Sequence, residues 1–356
     1  MPSIFFTGFP GFLGSELLPR ILRRTGETAL CMVQPKFRAL AEQRAAELVA
    51  RDPSFAGRIR LVEGDITRPI DLGQEDIREI YHFAAVYDLA VQPEIAKKVN
   101  VDGTRNVVDL ASRLPHLERL HYVSTCYVSG RFAGRFMEDD LERGQAFNNH
   151  YEATKYEAEV AVRNAMRGGL AATIYRPAIV VGDSTTGATQ KYDGPYFVIQ
   201  WLMRQPHLAM LPVVGNPRLH HLNVVPSDYL IRAMDHLSAR TDTIGKTYAL
   251  ADPDPMSVDE LIDAIGEATG RRVLRIPMPK SLAKWSLRAV PGLYRLMRIP
   301  PEAVDYFVHP TEYDTTNAQR DLGGDGGFHP PSLRQYLPRL IEFVRAHPEI
   351  GAAAMV

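Results

Sequence analysis

The sequence predicts an α/β protein built on a doubly wound parallel sheet, followed by a smaller C-terminal lobe assembled from discontinuous pieces. Three observations predict it. Through the first half, short apolar runs alternate with longer stretches of helical spacing, the pattern of parallel strands crossed by helices. The first run leads directly into the glycine-spaced segment TGFPGFLG, and the alternation fails after Tyr175.

Taken in order, strands are expected at Ser3–Phe6, Thr28–Val33, Ile59–Glu63, Glu79–Phe83, Arg119–Ser124 and Ala172–Tyr175. Helical spacing falls on Phe12–Arg24, Phe37–Arg51, Ile95–Arg113 and Tyr151–Arg167. Pro19 lies inside the first helix and removes one backbone hydrogen bond, so a kink or an early end is expected there. The stretch Arg176 to Pro195, rich in Gly, Thr and Asp, reads as a loop reaching over a site. Two later helices, Ser257–Thr269 and Ser332–Ala346, flank the Pro-rich piece Arg275–Pro301. The expected organisation is a nucleotide-type sheet domain over 1–180, with about 220–250 returning to it, and a lobe with C-terminal helices over 181–356.

Composition excludes several classes of function. With 356 residues, 45% hydrophobic and 23% charged, the chain has the makings of an ordinary folded core. A formal net charge of -1 supplies no field to hold nucleic acid or an anionic membrane. Two cysteines, Cys31 and Cys126, make no disulfide framework and no metal-ligand spacing, which fits a reducing cytoplasm. The apolar start Ile4-Phe5-Phe6 lacks the preceding positive charges of a signal peptide and reads as a strand. No window approaches the roughly 18 apolar residues of a spanning helix.

Gly8, Gly11 and Gly14 stand three apart, after a strand and at the opening of a helix that begins Phe12-Leu13. Glycines there permit a tight turn and let backbone amides approach a pyrophosphate at the positive end of the helix, as in Rossmann-like dinucleotide folds. The second strand ends Met32-Val33-Gln34-Pro35 with no acidic residue to hold a ribose hydroxyl. Lys36 and Arg38 follow, so NADP(H), with its ribose 2′-phosphate, is favoured over NAD(H). Asp65 and Ile66 after the third strand are placed at the adenine, and the small Ala84 and Ala85 after the fourth admit the cofactor backbone.

Tyr151 and Lys155 in YEATK lie four apart at the start of a helix and so share one face. A nearby ammonium favours a phenolate and moves a tyrosine toward acid-base work near neutrality. Some 26 residues earlier, VSTCYVSG ends a strand in two adjacent hydroxyls, Ser124 and Thr125, at the edge where open parallel sheets bind ligands. Either hydroxyl could instead cap the next turn.

Through TGFPGFLG, GDIT, HFAAV, VNVDGT, VSTCYVSG, YEATK and YRPAIVVGD in that order, the first 185 or so residues resemble the extended short-chain dehydrogenase/reductase superfamily. The resemblance implies a catalytic Thr125, Tyr151 and Lys155. Tyr151 would donate or accept the proton, and Lys155 would bind the nicotinamide ribose and lower the tyrosine's pKa. It also implies that Asn100 interrupts its helix near the cofactor and that Pro177 and Ala178 lie beside the nicotinamide amide. The segment GDSTTGATQKYDGPYF looks most like the thioester reductase and fatty acyl-CoA reductase branch. HLNVVPSDYL and YALADPDPMSVDELIDAIGEATGRR resemble the superfamily's substrate-lobe strand and helix.

The expected activity is therefore NADP(H)-dependent reduction of a carbonyl in a small-molecule substrate, an acyl thioester or another apolar carbonyl. A hydroxysteroid or sugar-nucleotide dehydrogenase, epimerase or dehydratase is the alternative on the same scaffold. A non-catalytic cofactor-binding regulator is the alternative of another class, and retention of Thr125, Tyr151 and Lys155 together argues against it. No metal is expected, since His220 and His221 point to opposite faces of a strand and lack a third ligand. Cys126 reads as a packing group. Tyr192, Tyr196, Phe197 and Trp201 suit either a helix core face or the wall of an apolar channel. Leu282, Trp285, Leu287, Leu293, Tyr294 and Met297 fit packing within the lobe better than docking on a membrane. A homodimer accords with the superfamily resemblance.

Overall fold

The computed structural model describes residues 2–87, 91–289, 299–323 and 327–351. Seven strands make the main sheet: β1 (Ser3–Thr7), β2 (Thr28–Val33), β3 (Ile59–Glu63), β4 (Ile77–His82), β5 (Arg119–Val123), β6 (Ala172–Pro177) and β7 (Thr247–Leu250). They lie in the order β7-β6-β5-β4-β1-β2-β3, all neighbours parallel. The order reverses between β1 and β4, so a crevice opens at their carboxyl ends, where such sheets bind ligands.

β1 is buried along its whole length, as a central parallel strand covered on both faces must be. Ile4 and Phe6 pack against the helices Phe12–Thr25 and Ser227–Ser238 on one side. Phe5, between Leu30 and Ile80 of its neighbours, packs on the other against Gly103–Arg113 and His150–Arg167. The helix Phe12–Thr25 does not end early at Pro19 as expected. Leu17, Leu18, Ile21 and Leu22 are fully buried on either side of it, and their packing outweighs a lost rung costing about 3 kcal/mol.

The third expected helix is interrupted. Pro93–Ala96 is α-helical, Lys97–Asp102 a π-helical segment and Gly103–Arg113 α-helical again. The remaining strands form three two-stranded parallel sheets: Gly134–Phe136 with Thr311–Tyr313, Ile179–Val181 with Val224–Pro226, and Leu208–Val214 with Arg272–Met278. Around them, the helices Pro195–Met203, Val258–Thr269 and Leu333–Ala346 share a second core. The expected helix start at Ser257 is a capping box, its hydroxyl accepting from Glu260 N while the Glu260 carboxylate accepts from Ser257 N at 2.8 Å.

Among the described residues no helix is long and apolar enough to cross a membrane. In the helix Lys280–Ala289, Leu287 is buried, whereas Leu282 and Trp285 are exposed, Trp285 at 61%. Leu293, Tyr294 and Met297 lie outside the described residues.

Candidate active site

A cleft of about 740 Å³ runs along the carboxyl ends of the strands, with the glycine loop at one end and Thr125, Tyr151 and Lys155 within it. Gly8 takes a φ of +93°, and a Cβ there would sit 2.6 Å from Phe83 Cβ. A Cβ on Gly11 or Gly14 would lie 2.7 Å from the Gly8 carbonyl oxygen. Only glycine lets the turn close this tightly against β4. Gly11 caps the first helix with no side-chain hydrogen bond, so its opening amides and positive dipole end stand at the lining of the cleft.

Gly8, Gly11, Phe12, Leu13, Gly14, Lys36, Ile66, Ala84, Ala85, Pro177 and Ala178 all line this cleft. Three sequence-predicted residues stand outside the lining. Arg38 is half-exposed and pairs with Glu42 at 2.7 Å, one turn along its own helix. Asp65 accepts from the Thr67 amide at 2.9 Å, a local turn that leaves Gly64 and Ile66 as the wall. Asn100 sits behind the wall, where the π-helical segment turns it toward Val86. Its amide accepts from Val86 N at 2.9 Å and donates to Val86 O at 3.0 Å and to Thr154 Oγ1 at 3.0 Å. The residue thus supports the backbone that carries Ala84 to Tyr87, in keeping with the placement of π segments at functional sites.

Tyr151 occupies the second position of the helix His150–Arg167, whose N-cap Asn149 accepts from Glu152 N at 2.9 Å. The Glu152 carboxylate reaches back to Asn148 N at 2.8 Å, fixing the first turn and with it the phenol. One turn on, Lys155 is fully buried, its Nζ donating to Tyr122 Oη at 3.0 Å and to the Val123 carbonyl at 2.7 Å. Burial pulls its pKa down to about 7, Glu159 opposing. Burial likewise holds the Tyr151 phenol above its ordinary value, and a hydrogen bond with Thr125 pulls the other way. The phenol is thus shifted upward here, whereas the resemblance implies lowering by Lys155. Burial thus disfavours the charged form of both groups.

The two adjacent hydroxyls divide their work. Ser124 donates to Glu159 at 2.6 Å, inside a buried ion pair in which Arg176 binds the same carboxylate at 2.6 Å. Thr125 bonds Tyr151, accepts from Tyr127 N at 3.3 Å and points its hydroxyl at the Pro177 carbonyl at 3.4 Å. Thr125 therefore both caps the next turn and faces the phenol. Cys126 donates to the Arg176 carbonyl at 3.0 Å and is buried, with its thiol pushed well up, which suits packing rather than reactivity.

Several lining residues carry no sequence signature. Tyr127 and Tyr306 meet edge to face at 4.5 Å, and Ala303, Tyr306 and Phe307 come from the 3₁₀ turn Pro301–Val308, far along the chain. The aromatic set splits between its two readings: Phe197 faces the cleft, while Tyr196 accepts from Gly182 N at 3.0 Å and Trp201 donates to the Met210 carbonyl at 2.9 Å. Among the described residues no group of three or more His, Cys, Asp or Glu could hold a metal ion.

Lys155 yields a stability test. Below pH 7 both the folded and unfolded chains carry its proton, and the folded chain bears the full cost of a buried charge. Between about 7 and the ordinary 10.5 only the unfolded chain holds the proton, so this group's contribution to stability climbs as pH rises. Lys155→Met is expected to melt at the same or a higher temperature than the parent at pH 6.5, with a flatter stability curve from pH 7.5 to 9.5. A marked loss of Tm at pH 6.5, read by scanning calorimetry, would contradict it.

Comparisons with known proteins agree with this fold. A family described as Male sterility protein, an NAD-binding family, matches residues 6–234. The chain is 29% identical over 297 residues to a linear gramicidin synthase of Brevibacillus parabrevis, covering 78% of this chain and 6% of that protein. It is 27% identical over 361 residues to the L-2-aminoadipate reductase large subunit of Eremothecium gossypii, covering 90% of this chain and 25% of that one. The chain therefore spans only a fraction of these curated relatives. Among solved structures, the terminal R domain of the myxalamid PKS-NRPS biosynthetic pathway superposes with a TM-score of 0.82 at 28% identity, covering 98% of this chain and 91% of that one. With a matched family over more than half its length, a seven-stranded doubly wound sheet and a cleft at the switch of strand order, the chain belongs to the Male sterility protein family as an NAD(P)-dependent oxidoreductase of the extended short-chain dehydrogenase/reductase type, in its thioester reductase-like branch.

Proposed function

We propose that the protein uses NADPH to reduce an acyl thioester, or another apolar carbonyl of similar shape, at Tyr151. The observation that carries this reading is the meeting of Thr125, Tyr151 and Lys155 in the same cleft as the glycine loop. The cofactor fits the chain's own groups. The Gly8–Gly14 backbone and the start of the first helix would hold its pyrophosphate, and Lys36, beside Gln34 in the lining, would meet a ribose 2′-phosphate. Pro177 and Ala178 would border the nicotinamide, and Lys155 its ribose.

When bound, the reduced nicotinamide supplies a hydride to the carbonyl carbon. Tyr151 gives its proton to the carbonyl oxygen, and Thr125 donates a hydrogen bond to that oxygen as charge develops. For a thioester, the resulting hemithioacetal breaks its C–S bond, releasing a thiol and an aldehyde. The hydride and one proton enter, and the thiol leaves with the proton of the hemithioacetal hydroxyl. Phe197, Leu222, Ala303 and Phe307 make an apolar wall that suits an acyl chain and keeps water from the reacting carbon.

The test is loss of absorbance at the reduced-nicotinamide band with purified protein, offering NADPH and NADH separately with long-chain acyl-CoAs and aldehydes. Oxidation of NADPH, at least about tenfold faster than of NADH at equal subsaturating concentration and coupled one to one to thiol release, is expected. Tight cofactor binding with no carbonyl reduced would overturn the proposal.

A further inference from the structure

We propose that the Tyr122 hydroxyl is a positioning group: together with the Val123 carbonyl it fixes two directions of the Lys155 side-chain nitrogen and so aims the third at the nicotinamide ribose. The inference rests on Lys155 as the group that meets that ribose. Tyr122 belongs to β5 and is fully buried, packed with Val107, Ala158 and Val162 between the sheet and its helices. It is absent from the lining of the cleft, whereas Lys155 is part of it. Tyr122 therefore acts on the chemistry through its neighbour and not by touching cofactor or substrate.

Lys155 Nζ donates to Tyr122 Oη at 3.0 Å and to the Val123 carbonyl at 2.7 Å, which takes up two of its bonding directions. In the ammonium the remaining direction carries a hydrogen, and in the neutral amine it carries the lone pair. A ribose hydroxyl can accept from the first and donate to the second. The aim therefore matters on both sides of the pKa of about 7 that burial gives this lysine. Held by the carbonyl oxygen alone, the head of so flexible a stem would swing about that one contact.

The phenol is itself held. It stands beside His82, its partner in register on β4, with the ring centres 5.8 Å apart. His82 Nδ1 meets Thr7 Oγ1 at 2.8 Å, and its Nε2 meets Thr104 Oγ1 at 3.1 Å. Thr7 Oγ1 already accepts from Ala84 N at 3.2 Å, so its hydrogen goes to Nδ1, and the imidazole carries its own on Nε2 and donates it to Thr104. Thr104 in turn bonds the Tyr122 hydroxyl. Burial pulls the His82 pKa down to about 3 and holds the phenol well above its ordinary value, so both stay neutral hydrogen-bonding groups. The bonds thus run behind the cleft from Thr7, where β1 enters the glycine loop, to Lys155.

The experiment is a binding cycle on Tyr122→Phe, Lys155→Met and the double variant, read by the fluorescence of NADPH or NADH, whichever the parent binds more tightly. Phenylalanine keeps the ring, whose centre lies 4.6 Å from Nζ, and removes the oxygen alone. Tyr122→Phe is expected to weaken the cofactor about fivefold or more in the parent, and less than about twofold once Lys155 is methionine. The adenine half of the cofactor, adenosine 2′,5′-bisphosphate for NADPH or ADP for NADH, lacks the nicotinamide ribose. By calorimetry it should bind Tyr122→Phe within about twofold of the parent. Equal weakening in both backgrounds, or of the adenine half as much as of the whole cofactor, marks a merely structural role and overturns the inference. So does an unchanged affinity in Tyr122→Phe. Cofactor binding that follows the expected cycle in a protein that reduces no carbonyl would remove the proposed reduction and leave this inference standing.

Discussion

Tyr151→Phe is expected to lower kcat by about 10³-fold or more while leaving the cofactor's Kd within about threefold of the parent's. The substitution removes one oxygen and leaves the ring that Asn149, Glu152 and the helix start hold in place. No described neighbour replaces the proton: the buried Lys155 is engaged by Tyr122 Oη and the Val123 carbonyl, and the aliphatic hydroxyl of Thr125 can give a hydrogen bond but ionises far less readily than a phenol. Stability should fall by no more than about 1 kcal/mol, since one neutral hydroxyl and its hydrogen bond with Thr125 are lost. Thr125→Ala should cost less, about 10²-fold, since it removes one hydrogen bond to the developing oxyanion. Full activity in Tyr151→Phe, measured by steady-state NADPH oxidation, would remove the phenol from the chemistry.

The second large effect is one of stability. Arg176 on β6 is 2% exposed and Glu159 on the helix His150–Arg167 is 0% exposed, and they join at 2.6 Å. Burial alone would raise the Glu159 pKa, but Arg176 and Arg163 hold it down. Arg176 also donates to the Glu138 carbonyl at 3.1 Å and the Asp140 carbonyl at 2.6 Å, so it fastens a loop to the sheet as well as to the helix. Arg176→Met leaves the buried Glu159 carboxylate with only Arg163 and Ser124 and is expected to cost about 3–5 kcal/mol in denaturant titration. Arg176→Met combined with Glu159→Leu should recover at least half of that loss, because two apolar groups of similar bulk need no partner. A single variant within about 1 kcal/mol of the parent would show that the pair is not a structural tie.

What the sequence reveals tracks the range over which its signals act. β2 and β3 fall on their expected residues, and β1, β4, β5 and β6 within a few, because each is a short apolar run whose burial is decided locally. Thr247–Leu250 is less transparent: it lies in the stretch expected to return to the sheet domain but opens a segment that resembles the substrate-lobe strand and helix, and it pairs with β6 at the sheet edge. Gly134–Phe136 and Thr311–Tyr313 are three residues each and nearly 180 positions apart, too short for any alternation to show. At the site, the glycine loop and the Tyr151–Lys155 spacing are local and stand out. Arg38 is a counterexample from the same region, a charge at a helix start that finds Glu42 before it finds the cleft. Resemblance places Asn100 near the cofactor, and its position behind Val86 depends on a change of helical pitch that no residue pattern announces. Lys191, Asp193 and Tyr306 reach the cleft through loop conformation and long-range packing.

The return of late segments to early ones also orders events in time. In the loop between the strand Ile179–Val181 and the helix Pro195–Met203, Gly187 lies so close to the Arg339 carbonyl that a Cβ would come within 2.3 Å of it, and Tyr192 bonds His347 and Gly351. As the chain emerges during synthesis, the sheet and the helix bearing Tyr151 and Lys155 can close on local contacts while this loop still lacks its seat. The reaction chamber is completed only after residues 333–351 have been made, so its long-range contacts form after the local ones of the sheet.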